Sequence, residues 1–211
     1  MIEYIKQAIR AIMRVLARII NKVSKGKITP NDITIFGLAM HLPIAILIAT
    51  RHNYWAAGLL VVFGLFDTLD GELARMQHRE SSSGRFLDSV TDRMKEIMLY
   101  LGAAFAAIAS GNTRPYLVTW VVAACGSALL TSYINAAGDA IIQTRKVVET
   151  HAENKAFRGG LFPFEIRVFI LVVGLLSNKL SYAIVIIAIG ATYTALSRMM
   201  RVLRTLKVSN A

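Results

Sequence analysis

The chain has 211 residues, of which 55% are apolar, and its formal net charge is +11. With a mean hydropathy of +0.51, it is too apolar for an ordinary soluble domain, and we expect an integral membrane protein. The basic residues lie beside apolar segments, which argues against nucleic-acid binding and suits anionic lipid headgroups. Cys125 is the only cysteine, so neither a disulfide framework nor a cysteine-based metal cluster is expected.

Residues 1–27 predict an amphipathic helix that precedes the membrane domain. Isoleucines and leucines occupy one side, and basic residues recur at every fourth position on the other: Lys6, Arg10, Arg14, Arg18 and Lys22. Such a helix is typical of the membrane interface, although a solvated helix packed on the domain is a compatible alternative. The same basic residues interrupt any apolar run that could serve as a cleavable signal peptide.

Residues 28–211 are expected to form one all-α membrane domain with six transmembrane helices. Six apolar segments occur there: 33–50, 54–76, 85–110, 115–143, 164–178 and 180–203. Each reaches or approaches the roughly 20 residues that a helix needs to cross a bilayer. Most Lys and Arg residues lie at the N-terminus, in the 2–3 and 4–5 connections and at the C-terminus. The positive-inside rule therefore predicts a multi-pass protein of the cell membrane with both termini in the cytoplasm.

Four aspartates stand near the ends of the second and third apolar segments, where a carboxylate close to hydrocarbon is costly. Asp67 and Asp70 are three residues apart, so they share one face of a helix. Asp88 and Asp92 are four apart and share a face of the next helix. A short polar loop makes the two helices antiparallel neighbours, so the four carboxylates can converge on one point.

Four negative charges gathered near hydrocarbon repel one another unless cations lie among them. Carboxylate oxygens favour hard divalent ions such as Mg²⁺, Mn²⁺ or Ca²⁺. Two ions held by shared carboxylates suit phosphoryl chemistry, and Mg²⁺ or Mn²⁺ are the ions expected here. One alternative is a set of salt bridges at the membrane surface with the neighbouring arginines, Arg75, Arg79, Arg85 and Arg93. Another is a cation transporter that uses the aspartates as an ion pathway. The clustering of the acids at one side of the membrane favours an enzyme.

Small residues beside the aspartates predict a groove for a bulky ligand. Gly71 lies inside a helical stretch, where glycine costs about 1 kcal/mol relative to alanine, and its bare backbone allows close approach. Ala74 lies three residues later, near the same face. Arg75 adds a cation suited to a phosphate or the edge of a nucleobase.

The spacing D-x2-D-G-x2-A-R-x8-G-x3-D-x3-D resembles the signature of the CDP-alcohol phosphatidyltransferases. Every fixed position is present within 26 residues: Asp67, Asp70, Gly71, Ala74, Arg75, Gly84, Asp88 and Asp92. The resemblance implies an enzyme of phospholipid biosynthesis that transfers a phosphatidyl group from a CDP-linked lipid to an alcohol and releases CMP. The six predicted spans and the N-terminal helix agree with that family.

The resemblance also implies roles for individual residues. Asp67, Asp70 and Asp88 would be metal ligands, while Asp92 would contact metal and act as the base for the acceptor hydroxyl. The CDP-lipid site would combine the start of the first span with the glycine-rich segment: Asn31, Asp32, Ile33, Thr34, Gly71, Ala74, Arg75 and Ser81. Thr29 or Asn31 could equally be the N-cap of the first span, and Ser81 could belong to a flexible serine-rich loop.

The layout looks most like the phosphatidylinositol-phosphate synthases and their archaeal relatives, which implies inositol phosphate as acceptor and a homodimer. Those enzymes tend to carry Lys and Arg after a Ser-Tyr pair in the fourth span, whereas Asn135 and Ala137 stand here. Glycerol 3-phosphate or another alcohol is the alternative acceptor. Arg167 and Arg198 are the basic residues expected to bind an acceptor phosphate, although snorkelling to the membrane surface would also explain them.

Overall fold

The computed structural model describes residues 2–109, 115–145 and 162–208, and all regular structure in these ranges is helical. The predicted all-α class is therefore confirmed. The helices of these ranges are α1 (Ile2–Ser24), α2 (Pro30–Ala49), α3 (Asn53–Gly64), α4 (Phe66–Gln77), α5 (Ser82–Ala109), α6 (Pro115–Arg145), α7 (Phe164–Leu176) and α8 (Leu180–Val208). The chain divides into two compact units, Met1–Gly102 and Ala103–Ala211.

Within the described ranges, three helical stretches are long and apolar enough to cross a membrane. They are Pro30–Ala49, Tyr116–Gly138 and Leu180–Arg204, which match the predicted first, fourth and sixth spans. The expectation of six spans stays a prediction.

The predicted second span is divided at Leu65, where α3 ends and α4 begins. The Leu65 amide donates to the Val62 carbonyl at 3.3 Å, and the Thr68 amide donates to the Leu65 carbonyl at 3.1 Å. These bonds reach back only three residues and tighten the chain locally. Gly64 precedes the break and weakens the helix there, since glycine has a low helix propensity. Consequently, α4 begins as a separate short helix that carries Asp67 and Asp70.

A capping box fixes the start of α2. The Thr29 side chain accepts a hydrogen bond from the Asp32 amide, and the Asp32 carboxylate accepts one from the Thr29 amide at 2.8 Å. Pro30 occupies the first turn, where its missing amide hydrogen and fixed φ are favourable. The interpretation of Thr29 as the N-cap is confirmed.

The core of the first unit lies where α1 and α2 pack on α4. It is a cluster of buried apolar side chains, Met13, Ala17, Ile33, Leu69 and Leu73. Only a narrow stripe of α1 is buried in it, and other apolar residues of that helix stay exposed: Ile12, Val15, Leu16, Ile19 and Val23. This exposed apolar surface is consistent with the predicted position of α1 at the membrane interface, which stays a prediction.

The position of α5 depends on a close approach to α2. A Cβ atom added at Gly102 would lie 2.5 Å from the Ala45 carbonyl oxygen, a distance that no real side chain tolerates. The backbones of the two helices therefore meet where only glycine fits.

In the second unit, α6 packs against α8, which also contacts α7. The buried residues of α6 and α8 are mostly small, which lets helices approach closely: Ala124, Ala128, Ala188, Ala191 and Ala195. The hydroxyls of Ser127 and Thr192 lie 2.7 Å apart across the pair. An exposed stripe on α8 is apolar and recurs at helical spacing, as a lipid-facing surface requires: Tyr182, Ile186, Ile189, Tyr193 and Leu196.

We expect Leu73→Ala to destabilise the protein by about 2–5 kcal/mol, because the Leu73 side chain is fully buried in the cluster beneath α4. Thermal unfolding in detergent should show a lower midpoint than for the wild type. Leu42→Ala is the matched control, since Leu42 is 55% exposed. Equal midpoints for the two variants would contradict the assignment of this core.

Candidate active site

Three of the four predicted aspartates converge between α4 and α5. Asp67, Asp70 and Asp88 each offer a carboxylate oxygen, and these oxygens lie within 4.8 Å of one another. A single divalent ion with metal–oxygen distances of about 2.1–2.4 Å can be reached by oxygens so spaced. The short connection between Gln77 and Ser82 makes the two helices neighbours, so the sequence reasoning about their faces is confirmed for these three residues.

The carboxylates of this trio fit a hard cation. Asp70 is only 6% exposed, and its Oδ2 atom accepts a hydrogen bond from the Thr34 hydroxyl at 2.6 Å. The Oδ1 atom of Asp88 is buried, and no hydrogen-bond partner for it occurs among the described residues. A buried carboxylate oxygen without a partner is costly. A divalent cation bound to it would remove that cost.

Asp92 lies outside the trio and is joined to it through Lys95. The Lys95 ammonium donates a hydrogen bond to Asp67 Oδ1, and its nitrogen lies 3.4 Å from Asp92 Oδ1. Its side chain is 1% exposed. Sequence reasoning missed Lys95, although positions 88, 92 and 95 share one helix face.

A cavity of about 300 Å³ opens beside two of the aspartates. Its wall is formed by Pro30, Asn31, Thr34, Asp70, Gly71, Ala74, Arg75, Arg79, Glu80, Ser81, Gly84, Arg85 and Asp88. Six of the eight residues predicted for the CDP-lipid site are thus brought together. Asp32 instead caps α2, and Ile33 is buried in the core cluster. The amides of both Asp32 and Ile33 already donate to the Thr29 carbonyl.

The two motif glycines shape this cavity in different ways. A Cβ atom at Gly71 would meet only the Arg75 guanidinium, at 3.7 Å, so it would occupy cavity space without striking the backbone. A Cβ atom at Gly84 would come within 3.1 Å of the Ser81 hydroxyl. That hydroxyl accepts a hydrogen bond from the Gly84 amide at 3.0 Å, at the start of α5. Ser81 is therefore part of a local turn as well as of the cavity wall.

Arg75 is held over the cavity by Glu72. Its guanidinium donates to Glu72 Oε1 at 2.9 Å, and Arg14 of α1 lies 3.3 Å from Glu72 Oε2. The Glu72 side chain is 6% exposed, whereas that of Arg75 is 54% exposed and accessible to a ligand. Glu72 was missed by sequence reasoning; its spacing from Arg75 could have suggested the pair, but nothing local predicts Arg14 as the second partner.

The second unit buries both arginines that were considered for an acceptor phosphate. Arg167 is 3% and Arg198 is 6% exposed. Arg167 donates to the Phe162 carbonyl at 2.9 Å, and Arg198 donates to the Thr131 carbonyl at 3.3 Å. The Nε atom of Arg198 is buried without a hydrogen-bond partner among the described residues. Arg167 and Arg201 lie within electrostatic range of Arg198, so positive charge is concentrated around the Arg198 guanidinium.

Glu96 lies one helical turn beyond Asp92 and orients the neighbouring Arg93. Arg93 donates to Glu96 Oε2 at 2.8 Å, and the Tyr100 hydroxyl lies 3.4 Å from Glu96 Oε1. Glu96 is buried, so this ion pair contributes to the rigidity of the α5 segment that carries Asp92.

Comparison with known proteins agrees with this arrangement. A family model described as CDP-alcohol phosphatidyltransferase matches residues 27–202. The phosphatidylinositol phosphate synthase of Corynebacterium glutamicum is 29% identical over 182 residues, which cover 83% of this chain and 78% of that protein. The archaetidylinositol phosphate synthase of Methanothermobacter thermautotrophicus is 28% identical over 201 residues, covering 92% of this chain and 93% of the relative.

The fold is also that of a solved protein, the phosphatidylinositol phosphate synthase of Mycobacterium tuberculosis. Its crystal structure with CDP-DAG bound has a TM-score of 0.77 and 24% identity, covering 91% of this chain and 94% of that chain. A second structure, in complex with manganese and citrate, has a TM-score of 0.76 and 23% identity, covering 90% and 88%.

The family match decides between the alternatives that the sequence left open. It covers the aspartates, the cavity wall and both buried arginines, and it favours an enzyme over a cation transporter. Together with the three apolar stretches, it indicates a membrane protein. The chain therefore belongs to the CDP-alcohol phosphatidyltransferase family and is an enzyme of that class.

Proposed function

We propose that this enzyme transfers a phosphatidyl group from a CDP-linked lipid to the hydroxyl of inositol phosphate, releasing CMP. The observation that carries the proposal is the carboxylate trio at the edge of a cavity whose wall contains Gly71 and Arg75. The relatives, a phosphatidylinositol phosphate synthase and an archaetidylinositol phosphate synthase, support a phosphorylated inositol as acceptor. Glycerol 3-phosphate or another small alcohol is the alternative, because Asn135 and Ala137 stand where basic residues are expected.

The cavity in the first unit is proposed to bind the CDP group of the donor. Gly71 and Ala74 leave room for the nucleotide against α4, and Arg75 offers a guanidinium for phosphate or the base edge. Asn31, Thr34 and Ser81 add polar groups on the same wall. A cavity of about 300 Å³ has the size of a small-molecule site, and a lipid tail would extend beyond it.

Asp67, Asp70 and Asp88 are proposed to hold a divalent cation, Mg²⁺ or Mn²⁺. A manganese complex of the structural neighbour supports this choice of ion. When bound, the cation would supply charge stabilisation to the pyrophosphate group. The predicted second ion would need Asp92 as a further ligand. Lys95 lies between Asp67 and Asp92, so its ammonium would compete with that ion for the same oxygens.

Asp92 is proposed to accept the proton of the acceptor hydroxyl. The acceptor oxygen forms a bond to the β-phosphorus of the donor, and the bond between that phosphorus and the oxygen of CMP breaks. The proton passes to the Asp92 carboxylate as the hydroxyl attacks. The Asp92 side chain is 23% exposed, so it is accessible to a hydroxyl.

Arg167 and Arg198 are proposed to bind the phosphate of the acceptor. Both are buried, and the orphaned Nε atom of Arg198 is a donor that an anionic oxygen would satisfy. The buried Nε atom of Arg198 has no hydrogen-bond partner among the described residues, so a phosphate oxygen that accepts from it would remove the cost of that unpaired donor.

The proposal places the protein in the cell membrane as a multi-pass homodimer with both termini and the aspartates on the cytoplasmic side. The distribution of basic residues supports that orientation. The basic and exposed apolar residues of α1 support its attachment to anionic lipid.

Purified enzyme given CDP-diacylglycerol and Mg²⁺ should release CMP with inositol 1-phosphate, and much more slowly with glycerol 3-phosphate, inositol or serine. Asp92→Asn should lose this release, because the hydroxyl proton has no acceptor, yet keep its thermal stabilisation by CMP with Mg²⁺. Release with a different acceptor would replace inositol phosphate in the proposal. No release and no stabilisation by CMP would refute the proposed donor site.

Gly71→Ala should fold normally but weaken CMP and CDP binding by tenfold or more, an expected loss of about 1.4 kcal/mol or above. Its added methyl group would occupy cavity space, where it meets only the Arg75 side chain. Isothermal titration with CMP in the presence of Mg²⁺ measures the effect. Gly58→Ala is the matched control in α3, where an added Cβ atom meets nothing within 4 Å. Unchanged CMP affinity in Gly71→Ala would show that the nucleotide does not bind against this part of the cavity wall.

Arg198→Met should raise the KM for the phosphorylated acceptor about tenfold or more, since a charged hydrogen bond contributes about 1.5–3 kcal/mol. The KM for the CDP-lipid should stay unchanged. Steady-state kinetics with each substrate varied in turn separates the two values, and Arg204→Met, at an exposed position of α8, serves as the control. Equal changes in both KM values would argue against an acceptor site at Arg198.

A further inference from the structure

Lys95 is a charged side chain in a place where charge is normally excluded. Its side chain is 1% exposed, and it is among the largest fully buried side chains of the described residues. A buried ammonium is tolerated only where anionic groups surround it. Here the partners are Asp67, to which it donates a hydrogen bond, and Asp92, whose Oδ1 atom lies 3.4 Å away.

The carboxylate cluster therefore has two sides with different occupants. On one side, Asp67, Asp70 and Asp88 present oxygens within 4.8 Å of one another, and the buried Oδ1 atom of Asp88 has no hydrogen-bond partner in the described chain. On the other side, the Lys95 ammonium already bridges Asp67 and Asp92. Asp67 belongs to both sides.

A second divalent ion would need Asp92 together with a carboxylate shared with the trio, and the Lys95 ammonium already occupies the position between Asp67 and Asp92. Two cations cannot share that position, because they would compete for the same oxygens and repel each other at short range. We propose that Lys95 takes the place of a second metal ion, so that the cluster binds one divalent ion and a fixed ammonium. This inference rests on the proposed metal-binding role of the trio.

The charges of the cluster are consistent with this assignment. One divalent ion and Lys95 together neutralise three of the four carboxylate charges, which leaves one negative charge on the cluster. Arg93 also approaches Asp92, with a nitrogen 4.0 Å from Asp92 Oδ2, but its closer partner is Glu96 at 2.8 Å. A second divalent ion would add excess positive charge where the protein already supplies its own.

Lys95 is thereby a positioning residue. It connects Asp67 on α4 to Asp92 on α5, so it fixes the carboxylate proposed to accept the proton relative to one that binds metal. Because the ammonium is covalently part of α5, it cannot dissociate as a metal ion can. The link between α4 and α5 therefore persists when metal is absent.

The test is the number of Mn²⁺ ions bound per chain, measured by titration in detergent with electron paramagnetic resonance detection. Wild-type enzyme should bind one ion. Lys95→Met, which keeps the length of the side chain but removes its charge, should bind two ions with spin coupling between them. Lys95→Met/Asp92→Asn should return to one, because the second ion then lacks a ligand. Lys179→Met, at an exposed position between α7 and α8, controls for the loss of a lysine elsewhere and should bind one.

Two ions in the wild-type enzyme would overturn the role of Lys95 and leave the proposed metal site intact. No ions in any variant would overturn the metal site itself. One ion in both the wild type and Lys95→Met would show that Lys95 does not exclude the second ion. The wild-type number decides the proposal alone if Lys95→Met fails to fold.

Discussion

Repulsion among the four carboxylates of α4 and α5 is the constraint on which the rest of the site depends. Each neighbouring polar contact reduces it. The Thr34 hydroxyl binds Asp70, and the Lys95 ammonium binds Asp67 and approaches Asp92. Asp88 alone among the four keeps a buried oxygen without a partner in the described residues. The protein thus compensates most of the cluster internally and leaves one position where an external cation gains most.

Packing holds these charges at the required distances. The cluster of Met13, Ala17 and Leu73 fixes α4 from beneath, and the contact between Gly102 and Ala45 fixes α5 against α2. Neither contact involves the aspartates. A site of like charges can persist only if packing elsewhere opposes the repulsion, and these two contacts contribute to that packing in the first unit.

The sequence predicted much of this site because its informative features are local. Helical spacing placed Asp67 with Asp70 and Asp88 near both, and the residues around Gly71 and Arg75 do line one cavity. The motif was also specific enough to indicate the family that the comparisons show. The all-α class followed from the lengths of the apolar segments. Thr29 was recognisable as a candidate N-cap of the first span.

What the sequence could not predict depends on contacts between distant residues. Arg14 and Glu72 are 58 positions apart, and Lys95 and Asp67 are 28 apart. No periodicity indicates such pairs. The break at Leu65 was missed because the apolar pattern continues across it, and only the backbone hydrogen bonds reveal it. Asp32 was expected to contribute its backbone to the ligand site, and the structure shows that its side chain belongs to the capping box of α2.

The cavity wall has a consequence for how such enzymes can diversify. Every wall residue lies between Pro30 and Asp88, whereas the two buried arginines belong to α7 and α8. If the first stretch recognises the donor and the second the acceptor, the two specificities are inherited on separate parts of the chain. Substitutions or recombination in the C-terminal half could then create a new headgroup preference while the nucleotide chemistry is retained.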